Sequence, residues 1–365
     1  MNYPTHYRKN IYLSMAEELN CDFYFGDLHS SKLKMIDFTL FKNPPVICHT
    51  KKFGKFNWNK GSLKPVFKRS YHSYILTGEQ ACLSTWVILL INRLLNRKTY
   101  LWAHCWHGDE TGFKAFHTKI YLRLASGLFL YGNHAKRLLL TEGFKEEKLH
   151  VIYNSLDYDK QLEIRKELSP VPVYLNYFGN DLPVVIFTGR LTAEKKIEQL
   201  IEAQVKLKKR GLPFNVLLLG DGGETERLKE LVQQYQVASH YWFYGACYDE
   251  KVIGNLYFNA DLTVSPGNVG LTAIHAMSYG CPVIAHHTFT KQGPEFEAII
   301  PGITGDFFEK DNVDSLAEKI CIWLSPIDKN VVRRACFHVI DSKYNPNHQM
   351  EVLREALRWD IPPFP

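Results

Sequence analysis

Val264-Ser-Pro-Gly-Asn-Val-Gly-Leu-Thr-Ala-Ile-His-Ala-Met-Ser-Tyr-Gly-Cys-Pro-Val-Ile-Ala285 is the stretch on which the reading of this 365-residue chain turns. Its two apolar ends read as short strands and its centre as a helix over residues 271–279. Gly280-Cys-Pro282 stops that helix and starts the next strand. A strand that leaves through a glycine-flanked turn into a helix offers unpaired N–H groups at the helix start, here Asn268, Val269, Gly270 and Leu271. Such a start suits a phosphate group. An ordinary strand–turn–helix unit has the same outline, so the surrounding stretches must decide.

Working outward, residues 184–188 form an apolar run that ends in Thr188-Gly-Arg-Leu-Thr-Ala-Glu-Lys195, a strand end followed by a helix start. Gly189, Arg190 and Lys195 then stand at the carboxyl edge of a parallel sheet, where open α/β sheets bind ligands. Arg190 can grip a diphosphate with two parallel hydrogen bonds, and Lys195 adds a point charge. Residues 215–219 lead into Gly220-Asp-Gly-Gly223, a turn in which Gly222 permits close backbone approach. Thr225 occupies the place of the last glycine of a dinucleotide fingerprint, which disfavours a nicotinamide enzyme. Further strands read at 241–244, 262–264 and 282–285, with helices at 195–210, 224–234, 250–258, 313–324 and 349–358. Cys247 stands in the turn after 241–244.

The first half alternates in the same way, with strands at 21–26, 45–49, 73–77, 99–104, 127–131 and 149–153. Its helices read at 11–19, 81–96, 114–124 and 134–142. No apolar strand precedes Tyr3, so the expectation is a start that lacks its first strand. Prolines and a change of composition between 158 and 183 mark a domain boundary. The division expected is 1–165 for a first domain, 166–183 for a linker, 184–345 for a second domain, and 346–365 for a helix crossing back to the first.

Composition narrows the class. An apolar share of 45% fits a core-forming chain rather than a disordered one. The eight cysteines make no CxxC pair or zinc-spaced cluster, which implies a reduced, cytoplasmic setting and thiols packed as small core groups. Residues 1–166 hold 25 Lys/Arg against 14 Asp/Glu, and residues 167–365 hold 19 against 24. The first half is therefore the one suited to an anionic surface. Residues 51–69 concentrate this with seven cations and no acid, interleaved with Phe53, Phe56, Trp58 and Phe67. That composition suits either the anionic inner face of a membrane or a solvated loop with a few buried rings.

Taken together, Arg190 with Lys195, the Gly220–Gly222 turn and the helix ending Ala276-Met-Ser-Tyr-Gly-Cys-Pro-Val-Ile-Ala285 resemble the donor domain of glycosyltransferase family 4. Glu297-Ala-Ile-Ile-Pro-Gly-Ile-Thr-Gly305 resembles the family's following loop. The resemblance runs from about Val184 to Leu324. It implies the GT-B fold, two Rossmann-like doubly wound parallel-sheet domains facing across a cleft. It also implies a retaining transfer from a nucleoside diphosphate sugar, without cofactor or metal, in polysaccharide or lipid-linked oligosaccharide synthesis. The family carries two glutamates eight positions apart around the phosphate-site helix, the first for the donor sugar and the second for the ribose. Gly267 and His275 stand at those positions here. A ring nitrogen of His275 can still hydrogen-bond a ribose hydroxyl, whereas sugar recognition must pass to Asn268 or Glu295.

In the first half, Trp102-Ala-His-Cys-Trp-His-Gly108 ends a strand, and His104 matches a family histidine that faces the cleft, with His107 as the fallback. His6 and Arg8, in the Thr5–Lys9 loop, are expected on the same acceptor side, for a glycan or lipid-linked sugar. Val151-Ile-Tyr-Asn-Ser-Leu-Asp157 resembles the family's motif closing the acceptor domain. It also creates Asp157-Tyr-Asp159, an acidic pair read as a turn rather than a metal site. A nucleotide-sugar 2-epimerase, a DNA-modifying GT-B enzyme and an inactive GT-B binding module are the rival readings. Nucleic acid is the least favoured partner.

Overall fold

The computed structural model describes residues 3–27, 35–104, 106 and 108–357. Two compact units divide the chain: Met1–Asp157 with Tyr344–Pro365, and Tyr158–Lys343.

The first unit opens with helix α1 (Lys9–Glu18) and strands β1 (Tyr24–Gly26), β2 (Val46–Phe53) and β3 (Phe56–Lys60). β1 and β2 pair in parallel, and β2 and β3 form an antiparallel hairpin. β4 (Ser73–Thr77), α2 (Leu83–Leu94), β5 (Lys98–Ala103), α3 (Gly112–Leu124), β6 (Gly127–Leu130), α4 (Asn133–Thr141) and β7 (Leu149–Val151) follow. They build a four-stranded parallel sheet in the order β4-β5-β6-β7. Side chains alternate across its strands. Tyr100, Trp102 and Phe129 join one buried cluster, and Leu101, Leu128 and Leu130 join another. With both faces covered, β5 and β6 read as continuous apolar runs.

The second unit begins with α5 (Tyr158–Glu167), α6 (Val173–Phe178), β8 (Val184–Thr188), α7 (Ile197–Lys209) and β9 (Asn215–Leu219). It continues through α8 (Thr225–Gln234), β10 (Tyr241–Gly245), α9 (Glu250–Asn259), β11 (Leu262–Ser265) and α10 (Thr272–Ser278). β12 (Val283–His286), β13 (Gly305–Phe308), α11 (Val313–Leu324) and α12 (Lys329–Lys343) complete it. Its six-stranded parallel sheet has the order β10-β9-β8-β11-β12-β13. α7 buries Ile197, Leu200, Ile201, Gln204 and Leu207, the spacing of one helical face. Asp249 caps α9 by accepting from the amides of Lys251 and Val252.

The chain then returns to the first unit as α13 (Pro346–Leu357), whose Met350, Leu353 and Leu357 pack with Ile11, Tyr12 and Met15 of α1.

Some elements differ from the sequence reading. The division falls at Asp157 rather than 165, and the stretch expected as a linker, 166–183, holds α6, because α5 and α6 both pack on α9. β3 alternates lysine and asparagine with aromatics and has no apolar run. β13 is an edge strand that opens on Gly305-Asp. α12 carries its apolar spacing, Val332, Cys336, Val339 and Ile340, among charged residues. Among the described residues no helix is long and apolar enough to cross a membrane.

Candidate functional site

In the second unit β8 lies between β9 and β11, so the winding of the sheet reverses between β8 and β11. The loops leaving the carboxyl ends of those two strands flank the reversal, the place where open α/β sheets take ligands. They are also laced together. Gly267 donates its amide to the Lys195 carbonyl at 3.0 Å. The Lys195 ammonium donates to the backbone carbonyl of Asn268 at 2.9 Å and to its Oδ1 at 2.6 Å.

Arg190 is exposed, and no hydrogen bond or ion pair among the described residues holds its guanidinium. Burial pushes the Lys195 ammonium below its ordinary value, the nearby Arg190 charge adds to this, and Glu194 offsets it only in part. An ammonium whose charged form is weakened by burial and by a like charge favours an anion beside it. The turn after β9 closes on the same loop. A Cβ on Gly222 would stand 2.2 Å from the Leu191 carbonyl oxygen, so only glycine lets the two backbones meet. Asp221 Oδ1 secures the turn by accepting from the Gly222 amide and the Thr225 hydroxyl.

Beyond Lys195, the loop after β11 differs from expectation in two ways. α10 begins at Thr272 and Gly270 is left-handed (φ 49°), so the helix starts one residue later than its spacing suggested. The Val269 amide, expected as a free donor, already donates to Gln292 Oε1 at 2.8 Å. Gln292 in turn donates to the His286 carbonyl. Gln292 is thus a positioning residue that the sequence did not mark. Of the loop after β12, Glu295 is buried and Glu297 half-buried. A Cβ on Gly293 would stand 2.9 Å from Glu295 Oε2 and 2.6 Å from Gly270 Cα, which places Glu295 beside the α10 loop. Cys247 is half-buried in the turn after β10, its thiol 3.9 Å from the Asp249 carbonyl.

His275, on α10, donates from Nε2 to Glu250 Oε1 at 2.9 Å. The same oxygen accepts from the Tyr279 hydroxyl at 2.7 Å and from Gln161 Nε2 at 3.1 Å. Burial alone would raise the Glu250 carboxyl, but the His275 hydrogen bond and charge, with those of Tyr279 and Gln161, hold it at about 2. Because Glu250 occupies Nε2, Nδ1 is the ring nitrogen left to meet a further hydrogen-bonding group. Glu250 is invisible in the sequence as a site residue, because it reads as an ordinary first-turn acid after its cap. Its removal strands three polar groups. Glu250→Ala should cost about 2–3 kcal/mol, read as a melting temperature lower by about 5–10 °C. A shift under one degree would mean that the network holds nothing.

The first unit gathers a second group at the carboxyl edge of its parallel sheet. The ring of His104, just after β5, lies 4.8 Å from that of Tyr131, just after β6. The Arg8 guanidinium donates to the Tyr131 hydroxyl at 2.5 Å and lies 5.8 Å above the Trp102 ring. Asn154 Oδ1 stands 3.5 Å from Arg8 Nη2. Arg8 therefore clamps three strand ends, while His104 and His6 are exposed. His107 lies outside the described residues. Asp157, the last residue of the unit's first segment, accepts from Asn10 Nδ2 at 3.2 Å, and Asp159 belongs to the first turn of α5. Among the described residues, no group of three or more His, Cys, Asp or Glu side chains is placed to hold a metal.

A cavity of about 230 Å3 in the second unit is lined by Pro183, Asp261 and Pro282, each just before a strand, with Trp323 and Arg333. It sits at the amino edge of the sheet, opposite the loops that carry the cations.

Known structures place this architecture. A glycosyltransferase from Rickettsia africae superposes with a TM-score of 0.72 at 20% identity, covering 96% of this chain and 95% of that one. Anabaena Alr3699/HepE in complex with UDP does so with a TM-score of 0.69 at 19% identity, covering 98% of each. The fold is GT-B, with two Rossmann-like units. Within it, residues 177–330 match the family described as Glycosyl transferases group 1. An uncharacterized glycosyltransferase of Methanocaldococcus jannaschii is 28% identical over 184 residues, 47% of this chain and 44% of its own length. The alpha-D-kanosaminyltransferase of Streptomyces kanamyceticus is 28% identical over 113 residues, 30% of this chain and 29% of its own. The chain spans less than half the length of these curated relatives.

Proposed function

We propose that the chain is a glycosyltransferase that moves a sugar from a nucleoside diphosphate donor to an acceptor hydroxyl, with retention at the anomeric carbon and without a metal ion. The observation that carries this is the pairing of Arg190 with Lys195 at the reversal point of the second sheet, where a diphosphate answers both charges. As the glycosidic bond breaks, negative charge grows on the departing phosphate oxygens, and fixed cations stabilise that charge more than they stabilise the ground state. His275 Nδ1 supplies one hydrogen-bonding atom for a ribose hydroxyl where the resemblance implies a carboxylate with two acceptors. Asn268, held by Lys195, and Glu295 are assigned to the sugar. In the first unit, His104 is assigned to the donor sugar or the acceptor's proton. The acceptor class is a glycan or lipid-linked sugar of a surface polysaccharide, and the setting is cytoplasmic. Retention and metal independence rest on the resemblance to family 4.

The test is a melting-temperature screen of UDP, GDP, CMP and dTDP in EDTA and in magnesium. At a hundred times its Kd a nucleotide stabilises by about 2.7 kcal/mol, or about 5–10 °C for a unit of this size. One nucleotide should do so in EDTA. A shift seen only with magnesium would overturn the metal-free reading, and no shift with any nucleotide would overturn the donor site.

A further inference from the structure

The β2–β3 hairpin presents to solvent what a hairpin normally buries. Its register pairs Phe53 with Phe56, Lys51 with Trp58 and His49 with Lys60. Strand alternation places those six side chains on one face. The opposite face, apart from the exposed Lys52 at the tip, is the one tied to the unit. There Thr50 donates to Asn59 Oδ1 at 2.8 Å, and Asn57 is buried and reaches Glu79 Oε1 at 3.3 Å. Yet Phe53 and Phe56, at the tip of the outward face, are 57% and 38% exposed. Phe67, on the short helical turn that follows, is 71% exposed. Lys51, Lys52, Lys55, Lys60, Lys64, Lys68 and Arg69 are all exposed. Among the described residues none of the seven is paired with a carboxylate.

We infer that this hairpin is a docking element for an anionic lipid bilayer, with Phe53 and Phe56 entering the headgroup–acyl boundary and the seven cations meeting the lipid phosphates. The order along the hairpin matches that depth profile. The apolar pair leads. Lys51 stands two residues behind Phe53, roughly 7 Å at the rise of a strand, which is about the depth to which interfacial elements bury. Lysine stems lie along such a boundary while their ammonium groups reach outward. A purely electrostatic contact would not need two phenylalanines at the hairpin tip.

The experiment is flotation of the full chain with vesicles of phosphatidylcholine containing 30% phosphatidylglycerol, against pure phosphatidylcholine, at 0.15 M salt. The anionic vesicles should carry the protein and the neutral ones should not. Each cation at such a surface changes partitioning about fivefold, so Lys51→Ala/Lys52→Ala/Lys55→Ala should weaken it on the order of a hundredfold. Phe53→Ser/Phe56→Ser should weaken it by at least about tenfold, with a melting temperature and nucleotide response like the wild type, since both rings are exposed. Phe67→Ser gives an independent check away from the hairpin. Wild-type protein that ignores the anionic vesicles overturns the inference. So does a phenylalanine variant that binds as the wild type does, or a preference for duplex or single-stranded nucleic acid over vesicles. Binding is read without sugar donor, so its failure leaves the donor-site reading intact.

Discussion

Arg190→Ala is expected to lower kcat/KM by about two to three orders of magnitude while leaving the melting temperature within a degree or two of the wild type. The two halves of that expectation have one cause. The guanidinium is exposed and no hydrogen bond among the described residues engages it, so folding loses little without it. A group with no role in the folded protein's own contacts can act fully on the charge that builds on a departing diphosphate. Arg190→Lys should recover only part of the rate, because a point charge cannot form two parallel hydrogen bonds to phosphate oxygens. Lys195→Ala should cost a similar factor and also release Asn268, which Lys195 holds through both its carbonyl and its amide oxygen. Steady-state kinetics with calorimetry on the same preparations separates these effects. Unchanged turnover in Arg190→Ala would remove the phosphate assignment.

Gly267→Glu should do comparable damage, although it restores the residue that the family resemblance expects there. A Cβ at this position would stand 2.2 Å from the Glu194 carbonyl oxygen and 2.8 Å from Lys195 Cα, both rigid backbone. The amide of Gly267 is meanwhile hydrogen-bonded to the Lys195 carbonyl. Any side chain must therefore push apart the two loops that hold Lys195 and Asn268. The strain amounts to about 2–3 kcal/mol, and the expected result is a loss of nucleotide affinity of about thirty- to a hundredfold. Gly267→Ala should behave almost as badly, since the first carbon already collides, and this separates sterics from the glutamate's charge. Titration with the nucleotide identified by the melting screen reads both variants. Tighter binding by Gly267→Glu would show that these loops do not pack as described.

What could be read beforehand follows from where information sits along the chain. β8, β9 and β12 are covered on both faces, so each is a nearly continuous apolar run that is plain in the sequence. β3 could not be read that way, because its outward aromatics and lysines follow neither the buried nor the half-buried pattern. That Arg190 and Lys195 leave the end of β8 on one loop was legible because their spacing is local. Glu250 and Gln292 were not. Each acts on a residue 25 or 23 positions away, and only the fold brings them together. Val269 shows the converse, since its position was readable but not the glutamine that occupies its amide. Asp157-Tyr-Asp159 looked like one motif, whereas its two carboxylates belong to different units.

The return of α13 to the first unit has a consequence for the order of events on the ribosome. Met350, Leu353 and Leu357 sit in the same buried cluster as Ile11, Tyr12, Phe25 and Phe129. The residues that close this cluster are thus made only after the whole of Tyr158–Lys343. At roughly 5–20 residues per second, the leading segment waits on the order of ten seconds or more for its final helix. The contiguous second unit, made in the interval, can complete itself first. Until α13 is made, the face of α1 that meets Met350, Leu353 and Leu357 lacks its covering helix, although Tyr12 also packs on the rings of Phe23 and Phe25.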